Sequence, residues 1–350
     1  MSRSPAMDTL QIRGFVEALR EPVLVVGPER RILAANAPAR SLFPTIRGDD
    51  ALPLVMRSPD VLDAVGSVLA GGAPVTTTWH ERVPVERVFE VYVAPLDAPG
   101  RPPSAVVTLR DLTDARRVER MRVDFIANAS HELRTPLASL LGFIETLQGP
   151  ARNDAAARER FLSIMREQGR RMARLIDDLL SLSHIEQHQH LRPSAPVDLV
   201  EITRNCIDAL SPMAQENHVE LRLDAPEALT VAGDRDELVR VAENLIENAI
   251  KYGANDDRAP THVDISLGVC GSQARFSVRD HGPGIAREHL PRLTERFYRV
   301  DAGQSRAKGG TGLGLALVKH IVARHRGRLR IESEPGAGAR FEVELPLSSP

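Results

Sequence analysis

Hydrophobic and polar positions follow a different period in each of three successive segments of the chain. Up to about residue 112, short apolar runs alternate with turn residues, a pattern that is typical of strands. Strands are predicted at 22–27, 31–34, 76–79, 89–93 and 105–109. Longer apolar patterns predict helices near 8–20 and 58–70. The first segment, residues 10–112, is therefore predicted to be a small α+β domain.

The second segment, residues 114–188, carries two long patterns in which apolar residues recur every three or four positions, as they do in amphipathic helices. Gly149 and Pro150 separate them. Two such helices bury too little surface alone, so we expect this hairpin to pair with a copy of itself in a four-helix bundle. Pro136 lies inside the first pattern, where a proline kinks a helix at a cost of ~3 kcal/mol. Its place near His131 predicts a functional hinge.

Helices and strands alternate in the third segment, residues 198–348, which follows a predicted linker with Pro193 and Pro196. Helices are predicted at 198–216, 235–252 and 312–326, and strands near 219–223, 262–269, 273–280, 328–333 and 339–345. This order predicts an α/β sandwich, with helices layered on a mixed sheet. The whole chain is thus predicted to be an α+β protein of three domains.

Composition narrows the class of protein. The 350 residues carry a net charge of −2, which gives no reason to expect binding to nucleic acid or to an anionic membrane. The two cysteines, Cys206 and Cys270, have neither metal-ligand spacing nor a disulfide framework. No run approaches the ~20 apolar residues that span a bilayer, and residues 1–5 lack the apolar part of a signal peptide. We expect a cytoplasmic protein, or a truncated form of a membrane-associated one.

Three candidate catalytic residues lie close together in the first long helical pattern. His131 stands beside Glu132, and Thr135 follows four residues after the histidine, on the same helix face. An imidazole can attack a phosphoryl group, the carboxylate can accept the ring proton, and the hydroxyl can orient a water. For any single histidine, an exposed and charged helix turn is the more frequent explanation.

A polar helix face in the third segment suits a nucleotide. Asn244, Asn248 and Lys251 share one face of the helix predicted at 235–252. Asparagine oxygens can join a Mg²⁺ shell, and a lysine adds positive charge against a triphosphate. A solvated polar face is the alternative.

Two glycine-rich stretches follow that helix. Asp280 ends a predicted strand just before two glycines, a pattern that also occurs in ordinary turns. Residues 309–316 precede a helix, so their amides and the helix N-terminus can approach phosphate. Residues 309–316 lack the lysine and the serine or threonine that end a P-loop. No preceding strand and acidic residue mark a Rossmann site. The polar span 285–308 between them is predicted to be a lid, whose Arg299 either reaches the γ-phosphate or forms a surface salt bridge.

The number, order and spacing of these motifs, from residue 125 to 341, resemble those of the HisKA-type sensor histidine kinases. The string His-Glu-Leu-Arg-Thr-Pro at 131–136 resembles their phosphoacceptor box, and residues 244–252 resemble their N box. The glycine stretches are similar to those of GHKL-type ATPases, in which position 281 is commonly asparagine rather than the histidine found here. Residues 10–112 resemble a PAS sensory domain. The resemblance is closest to the phosphate-regulon sensor group.

This resemblance implies a homodimeric kinase that transfers the γ-phosphate of ATP to His131 and then to an aspartate of a separate response regulator. It implies that Glu132 is the general base, that Thr135 positions water for regulator dephosphorylation, and that Asn248 ligates Mg²⁺. Asp280 would accept a hydrogen bond from the adenine amino group. The other residues expected in the ATP site are Asn244, Lys251, Tyr252, Gly282, Gly284, Arg299, Gly310, Thr311, Gly312, Leu313 and Gly314.

Other functions stay open at this point. A gyrase-type ATPase or a chaperone would share the glycine stretches, although it usually carries a catalytic glutamate where this chain has Asn244. A scaffold that binds nucleotide without transferring phosphate is a second alternative, and the intact His131 and Glu132 count against it. Thr135 fits both a net kinase and a net phosphatase, and nothing in residues 10–112 identifies a sensed ligand.

Overall fold

The computed structural model describes residues 14–47, 49–81, 86–96, 102–188, 191–253, 261–301, 303 and 310–348. The chain divides into two compact units, Met1–Asp124 and Phe125–Pro350. Residues 14–17 are helical, and the start of the helix predicted at 8–20 lies outside the described residues. Within the described ranges, every helix is too short or too polar to cross a membrane.

Besides the helical residues 14–17, the described part of the first unit contains a five-stranded antiparallel sheet and three short α-helices. The strands are β1 (Val23–Val26), β2 (Ile32–Ala35), β3 (Val75–Glu81), β4 (Arg87–Pro95) and β5 (Ala105–Asp111), in the order β2-β1-β5-β4-β3. The helices are α1 (Ala37–Leu42), α2 (Leu52–Val55) and α3 (Pro59–Leu69). All five predicted strands are therefore present, and α3 matches the helix predicted at 58–70.

Aromatic rings and one asparagine organise the interior of this unit. Trp79 stacks between Phe43 and Phe89, with ring centroids 5.6 and 5.1 Å away. Asn36 is fully buried and caps α1, because its Oδ1 accepts hydrogen bonds from the amides of Val23 and Ala39. Its Nδ2 donates to two further backbone carbonyls, so this buried amide is fully paired.

Two long helices form the predicted hairpin. They are α4 (Thr113–Gln148) and α5 (Ala155–Gln187), and Phe143 stacks on Phe161 across them at 5.1 Å. Asp154 caps α5 through a 2.9 Å hydrogen bond from the amide of Ala157. Pro136 is buried inside α4, and the helix continues through it. The kink expected there stays a prediction.

Two sheets and three α-helices of more than ten residues are present in the described residues that follow α5. The smaller sheet pairs β6 (Ala195–Asp198) with β8 (Thr230–Gly233). The larger sheet contains β7 (Val219–Asp224), β9 (Thr261–Cys270), β10 (Gln273–Arg279), β11 (Arg328–Ser333) and β12 (Ala339–Pro346), in the order β11-β12-β10-β9-β7. The pair β7–β9 is parallel and the others are antiparallel, so the sheet is mixed as predicted.

One face of the larger sheet packs on the helices α6 (Leu199–Glu216), α7 (Arg235–Gly253) and α8 (Gly314–Arg324). In β9 the apolar residues at 263, 265 and 267 are buried, while the polar residues between them are not. Cys206 of α6 is buried, which raises the pKa of its thiol to about 12 and keeps it protonated, and Cys270 is exposed. The predicted α/β sandwich is therefore confirmed.

The predicted linker around Pro193 and Pro196 is partly wrong. Residues 195–198 form β6, and the partner strand β8 was also not predicted. Both strands have only four residues, and a proline is tolerated in β6 because a two-stranded sheet consists of edge strands.

Candidate functional site

A cleft of about 620 Å³ opens along α7 in the second unit. This volume lies within the range of ~300–1,000 Å³ that is usual for small-molecule sites. Nearly all residues predicted to bind a nucleotide line it, namely Asn244, Asn248, Lys251, Tyr252, Asp280, Gly284, Arg299, Gly310, Thr311, Gly312 and Gly314. The structure therefore brings together motifs that are more than 60 positions apart in the chain.

Two of the residues predicted to bind the nucleotide, Gly282 and Leu313, do not line the cleft. The amide of Gly282 donates to Oδ1 of Asp280 at 3.0 Å. Leu313 is fully buried, and its amide donates to Oγ1 of Thr311 at 3.3 Å. Both residues support a neighbour that does line the cleft.

Asp280 is the most deeply buried carboxylate of the cleft, with 4% of the residue exposed. Its Oδ1 accepts hydrogen bonds from the amides of Gly282 at 3.0 Å and Ala339 at 3.2 Å. Burial raises the pKa of this carboxyl, although the two amides oppose that shift. Since both amides bond Oδ1, Oδ2 is the atom suited to accept a hydrogen bond from a ligand.

Helix α7 presents amides and charges to the cleft. Nδ2 of Asn244 donates to the carbonyl of Arg240 at 2.8 Å, which leaves its Oδ1 on the side of α8. Nζ of Lys251 lies 2.6 Å from Oε1 of Glu247, one turn earlier. Asn248 is half-buried between them. Oxygen donors and an ammonium group therefore face the same space.

Two glycines are required by close packing around this cleft. A side chain at Gly314 would place its Cβ 2.2 Å from Oδ1 of Asn244, so any larger residue there would displace the amide of Asn244 from its present position. Gly284 has φ = +71°, and a Cβ there would lie 2.0 Å from the carbonyl oxygen of Glu334. The glycine stretches thus allow backbone to approach both the cleft and its neighbours.

The predicted phosphoacceptor face lies on α4. His131 is exposed, and Oγ1 of Thr135 donates to the carbonyl of His131 at 3.2 Å. Glu132 points to the other helices: its carboxylate pairs with Arg171 of α5 at 3.1 Å and with Arg299 at 3.0 Å. The predicted nucleophile is therefore accessible, whereas the predicted base is held by two arginines.

Arg299 joins the phosphoacceptor helix to the cleft. Its guanidinium bonds both oxygens of Glu132, with Nη1 at 3.2 Å and Nη2 at 3.0 Å. Nη2 also donates to the carbonyls of Gly310 and Thr311 at 3.0 and 2.9 Å. Only 6% of this side chain is exposed, so the alternative of a surface salt bridge is wrong. Arg299 makes a buried, bidentate ion pair instead.

A second contact between the hairpin and the glycine stretch was not predicted. Oγ1 of Thr311 donates to Oδ2 of Asp178 on α5 at 2.8 Å. Burial raises the pKa of Asp178, and the hydrogen bond from Thr311 opposes that rise. The signal available in the sequence was a pair of acids, Asp177 and Asp178, inside the apolar stripe of a helix.

Comparison with known proteins identifies three family regions. Residues 16–117 match the PAS fold, and residues 121–188 match the His Kinase A (phospho-acceptor) domain. Residues 233–349 match the histidine kinase-, DNA gyrase B- and HSP90-like ATPase family. The last match implies ATP as the ligand of the cleft.

Relatives carry the same regions. The phosphate regulon sensor protein PhoR of Pseudomonas aeruginosa is 42% identical over 239 residues, which cover 67% of this chain and 52% of the relative. The sensor-like histidine kinase SenX3 of Mycolicibacterium smegmatis is 38% identical over 242 residues, 69% of this chain and 62% of the relative. The chain belongs to the sensor histidine kinases. It spans between half and two thirds of the length of these two family members.

Solved histidine kinases share the fold. The Acinetobacter baumannii histidine kinase AdeS is 25% identical with a TM-score of 0.50, over 63% of this chain and 98% of that one. The histidine kinase ThkA, solved in complex with the response regulator protein TrrA, is 20% identical with a TM-score of 0.51 and covers 95% of this chain and 98% of that one. At 20% identity, the likeness to ThkA shows that the two chains share a fold.

Proposed function

We propose that this protein is an ATP-dependent histidine kinase that phosphorylates His131 and passes the phosphoryl group to an aspartate of a separate response regulator. The observation that carries the proposal is the chain of contacts from Glu132 through Arg299 to the carbonyls of Gly310 and Thr311. It links the neighbour of the nucleophile directly to the wall of the nucleotide cleft.

In the proposed reaction, a ring nitrogen of His131 attacks the γ-phosphorus of ATP. The bond from that phosphorus to the β–γ bridging oxygen breaks, and ADP leaves with the electron pair. Glu132 accepts the ring proton. Catalysis here is mostly positioning and electrostatics, so Lys251 contributes by offsetting negative charge on the triphosphate.

The proposed reaction requires the pair between Glu132 and Arg299 to open. A carboxylate that accepts charged hydrogen bonds from two arginines cannot also take the ring proton of the adjacent histidine. Arg299 already lies at the cleft, so the γ-phosphate offers its guanidinium an alternative partner. Binding of ATP would then leave Glu132 paired with Arg171 alone and free the carboxylate oxygen that Arg299 occupies.

The residues of α7 fit a magnesium ion. Asn248 lines the cleft with Asn244 one turn before it, and carboxylates of the same helix lie beside them. These oxygen donors are the ones that Mg²⁺ prefers, and the ion usually completes its shell with water and substrate phosphates. In our proposal Asn248 holds Mg²⁺, which would neutralise charge on the triphosphate.

The proposed partners are a second copy of this chain and a cognate response regulator. The dimer would form through residues 114–188, whose helices leave large apolar side chains exposed in the single chain. The complex of ThkA with a response regulator supports the second partner. The PAS region would be the sensory input, and Thr135 would position water when the phosphorylated regulator is dephosphorylated.

The central test is phosphorylation of the variant His131→Ala. It should bind ATP like the native chain, because His131 does not line the cleft, and should acquire no acid-labile phosphate from labelled ATP. The matched control is His184→Ala, which removes another exposed helix histidine of the second unit and should leave labelling unchanged. Equal labelling of His131→Ala would refute the assignment. A native chain that binds ATP but never becomes labelled would support a nucleotide-binding scaffold instead.

A further inference from the structure

Two histidines and an aspartate converge on the side of the larger sheet that faces away from the helices. Nε2 of His281 lies 2.8 Å from Oδ2 of Asp264, and Nε2 of His262 lies 3.6 Å from the same oxygen. The two imidazole rings are 4.3 Å apart between centroids and tilted by 37°. One ligand atom from each residue lies within 4.8 Å of the others.

These spacings suit a metal ion. In a tetrahedral zinc site the bonds to histidine and carboxylate are ~2.0–2.2 Å, which places neighbouring ligand atoms about 3.3 Å apart. The two measured distances to Oδ2 fall on either side of that value. Small side-chain adjustments would therefore centre an ion between all three groups.

The backbone holds the three residues in place. His262 and Asp264 are alternate residues of β9, so they project from the same face of the sheet. His281 follows the end of β10, which pairs with β9 so that Arg279 lies opposite Asp264. Ligands on paired strands are held more precisely than ligands on loops. Between 32% and 45% of each side chain is exposed, so an ion can enter from solvent.

We propose that His262, Asp264 and His281 form a binding site for a divalent transition-metal ion of the Zn²⁺ class. Imidazole nitrogens favour zinc and its transition-metal neighbours, whereas Mg²⁺ and Ca²⁺ prefer sets of oxygen ligands. Three protein ligands leave a fourth position for water or an anion. The site is distinct from the nucleotide cleft, because none of the three residues lines it.

The surrounding charges are compatible with a cation. Arg222 lies opposite Asp264 on the neighbouring strand β7, but its guanidinium pairs with Glu220 at 2.6 Å. Glu220 in turn lies opposite His262. The ion would replace the proton in the hydrogen bond between His281 and Asp264. The carboxylate would offset one of its two positive charges, and the neutral imidazoles would donate lone pairs.

Metal binding would fix the strand end that presents Asp280. His281 and Asp280 are consecutive residues, and Asp280 lines the nucleotide cleft while His281 contacts Asp264. An ion on His281 would therefore tie the Asp280 side of the cleft to β9.

The test is calorimetric titration of the full chain with Zn²⁺ alone, after removal of bound metal with a chelator and in the absence of ATP and Mg²⁺. The native chain should bind one equivalent of Zn²⁺ tightly. The variants His281→Asn, His262→Gln and Asp264→Asn should each weaken it by at least ~100-fold, the upper end of the effect of losing an outer-sphere partner. His281 lies outside the strands and its side chain is 32% exposed, so the fold of His281→Asn is expected to persist.

The matched control removes a second pair of close imidazoles. His184 and His188 on α5 also have ring centroids 4.3 Å apart, and the double variant His184→Ala/His188→Ala should keep the tight equivalent. Binding of ATP without metal provides the folding check for each variant. The proposal fails if the native chain binds no tight equivalent. It fails equally if that equivalent persists in His281→Asn and His262→Gln or disappears in the control.

Discussion

At the scale of single residues, Asn248 tests the metal part of the proposed function. Asn248→Asp keeps the size of the side chain but adds a negative charge to a helix that already places Glu243 and Glu247 at the cleft. We expect autophosphorylation to fall by at least ~100-fold, as it does when one electrostatic group of an active site is lost. Asn205→Asp, an exposed change on α6, is the control. Near-normal labelling of Asn248→Asp would mean that this residue lies on a solvated face only.

Thr135 separates the two activities that the His131 face can support. Its hydroxyl bonds the carbonyl of His131, which places it beside the phosphoacceptor. Phosphoryl transfer from ATP needs no water there, so Thr135→Ala should keep most autophosphorylation. Loss of the hydroxyl should abolish dephosphorylation of the cognate regulator. Parallel assays of phosphoryl gain by the kinase and of phosphoregulator decay measure the two effects.

A second threonine of α4 controls for the backbone bond alone. Thr146 makes the same type of bond, from Oγ1 to the carbonyl of Gly142 at 2.7 Å, but lies about four helical turns away from His131. Thr146→Ala should leave both activities unchanged. If Thr135→Ala retains regulator dephosphorylation, its hydroxyl only helps to accommodate the helix around Pro136.

At the scale of elements, Arg299 connects α4 to the glycine stretch. Removal of one partner of a buried ion pair costs ~3–5 kcal/mol, and because Glu132 keeps Arg171 we expect about 1–2 kcal/mol for Arg299→Ala. This loss should loosen the backbone on either side of Arg299, where the amide of Phe297 donates to the carbonyl of Gly312 at 2.7 Å. Hydrogen exchange of that amide should accelerate by about 5- to 30-fold.

An exposed arginine of the same span is the control for Arg299. Arg292 pairs with Glu295 at 3.3 Å and lies over the ring of Tyr298, and 56% of its side chain is exposed. Surface ion pairs contribute little, so Arg292→Ala should leave exchange at Phe297 unchanged. Identical exchange in the two variants would show that the contact with Glu132 does not hold this segment.

Local periodicity predicted most elements of the fold but not its short pairings. The alternation of buried and exposed residues in β9 and β12 is visible in the sequence, because each strand has one face on the core. Strands β6 and β8 have four residues each and are stabilised by one another across more than thirty positions. Nothing local in the sequence encodes such a pair.

The candidate site also has a part that the sequence predicted and a part that it did not. Asn248 and Asp280 were predicted because their motifs are local and resemble a known family. The pair of Glu132 with Arg299 joins residues 167 positions apart, and Asp178 meets Thr311 across 133. These contacts depend on how the hairpin packs against the rest of its unit, which no local pattern specifies.

At the scale of the whole molecule, the hairpin leaves apolar surface that one chain does not cover. Leu137, Leu141 and Ile144 follow one another at helical spacing on α4, and between 38% and 53% of each is exposed. An exposed apolar stripe of this kind usually marks an interface, and pairing with a second copy would complete a four-helix bundle.

We therefore expect a homodimer. Light scattering at micromolar concentration should give twice the 38.4 kDa mass of one chain, and residues 114–188 alone should also dimerise. Leu141→Asp places a charge in the middle of the stripe, and should shift the full chain to monomer without unfolding it, because this side chain is exposed in the single chain. Leu54→Asp is the matched control, since Leu54 is 69% exposed on α2 and outside the hairpin. A monomeric native chain, or a Leu141→Asp variant that dimerises like Leu54→Asp, would contradict assembly through this face.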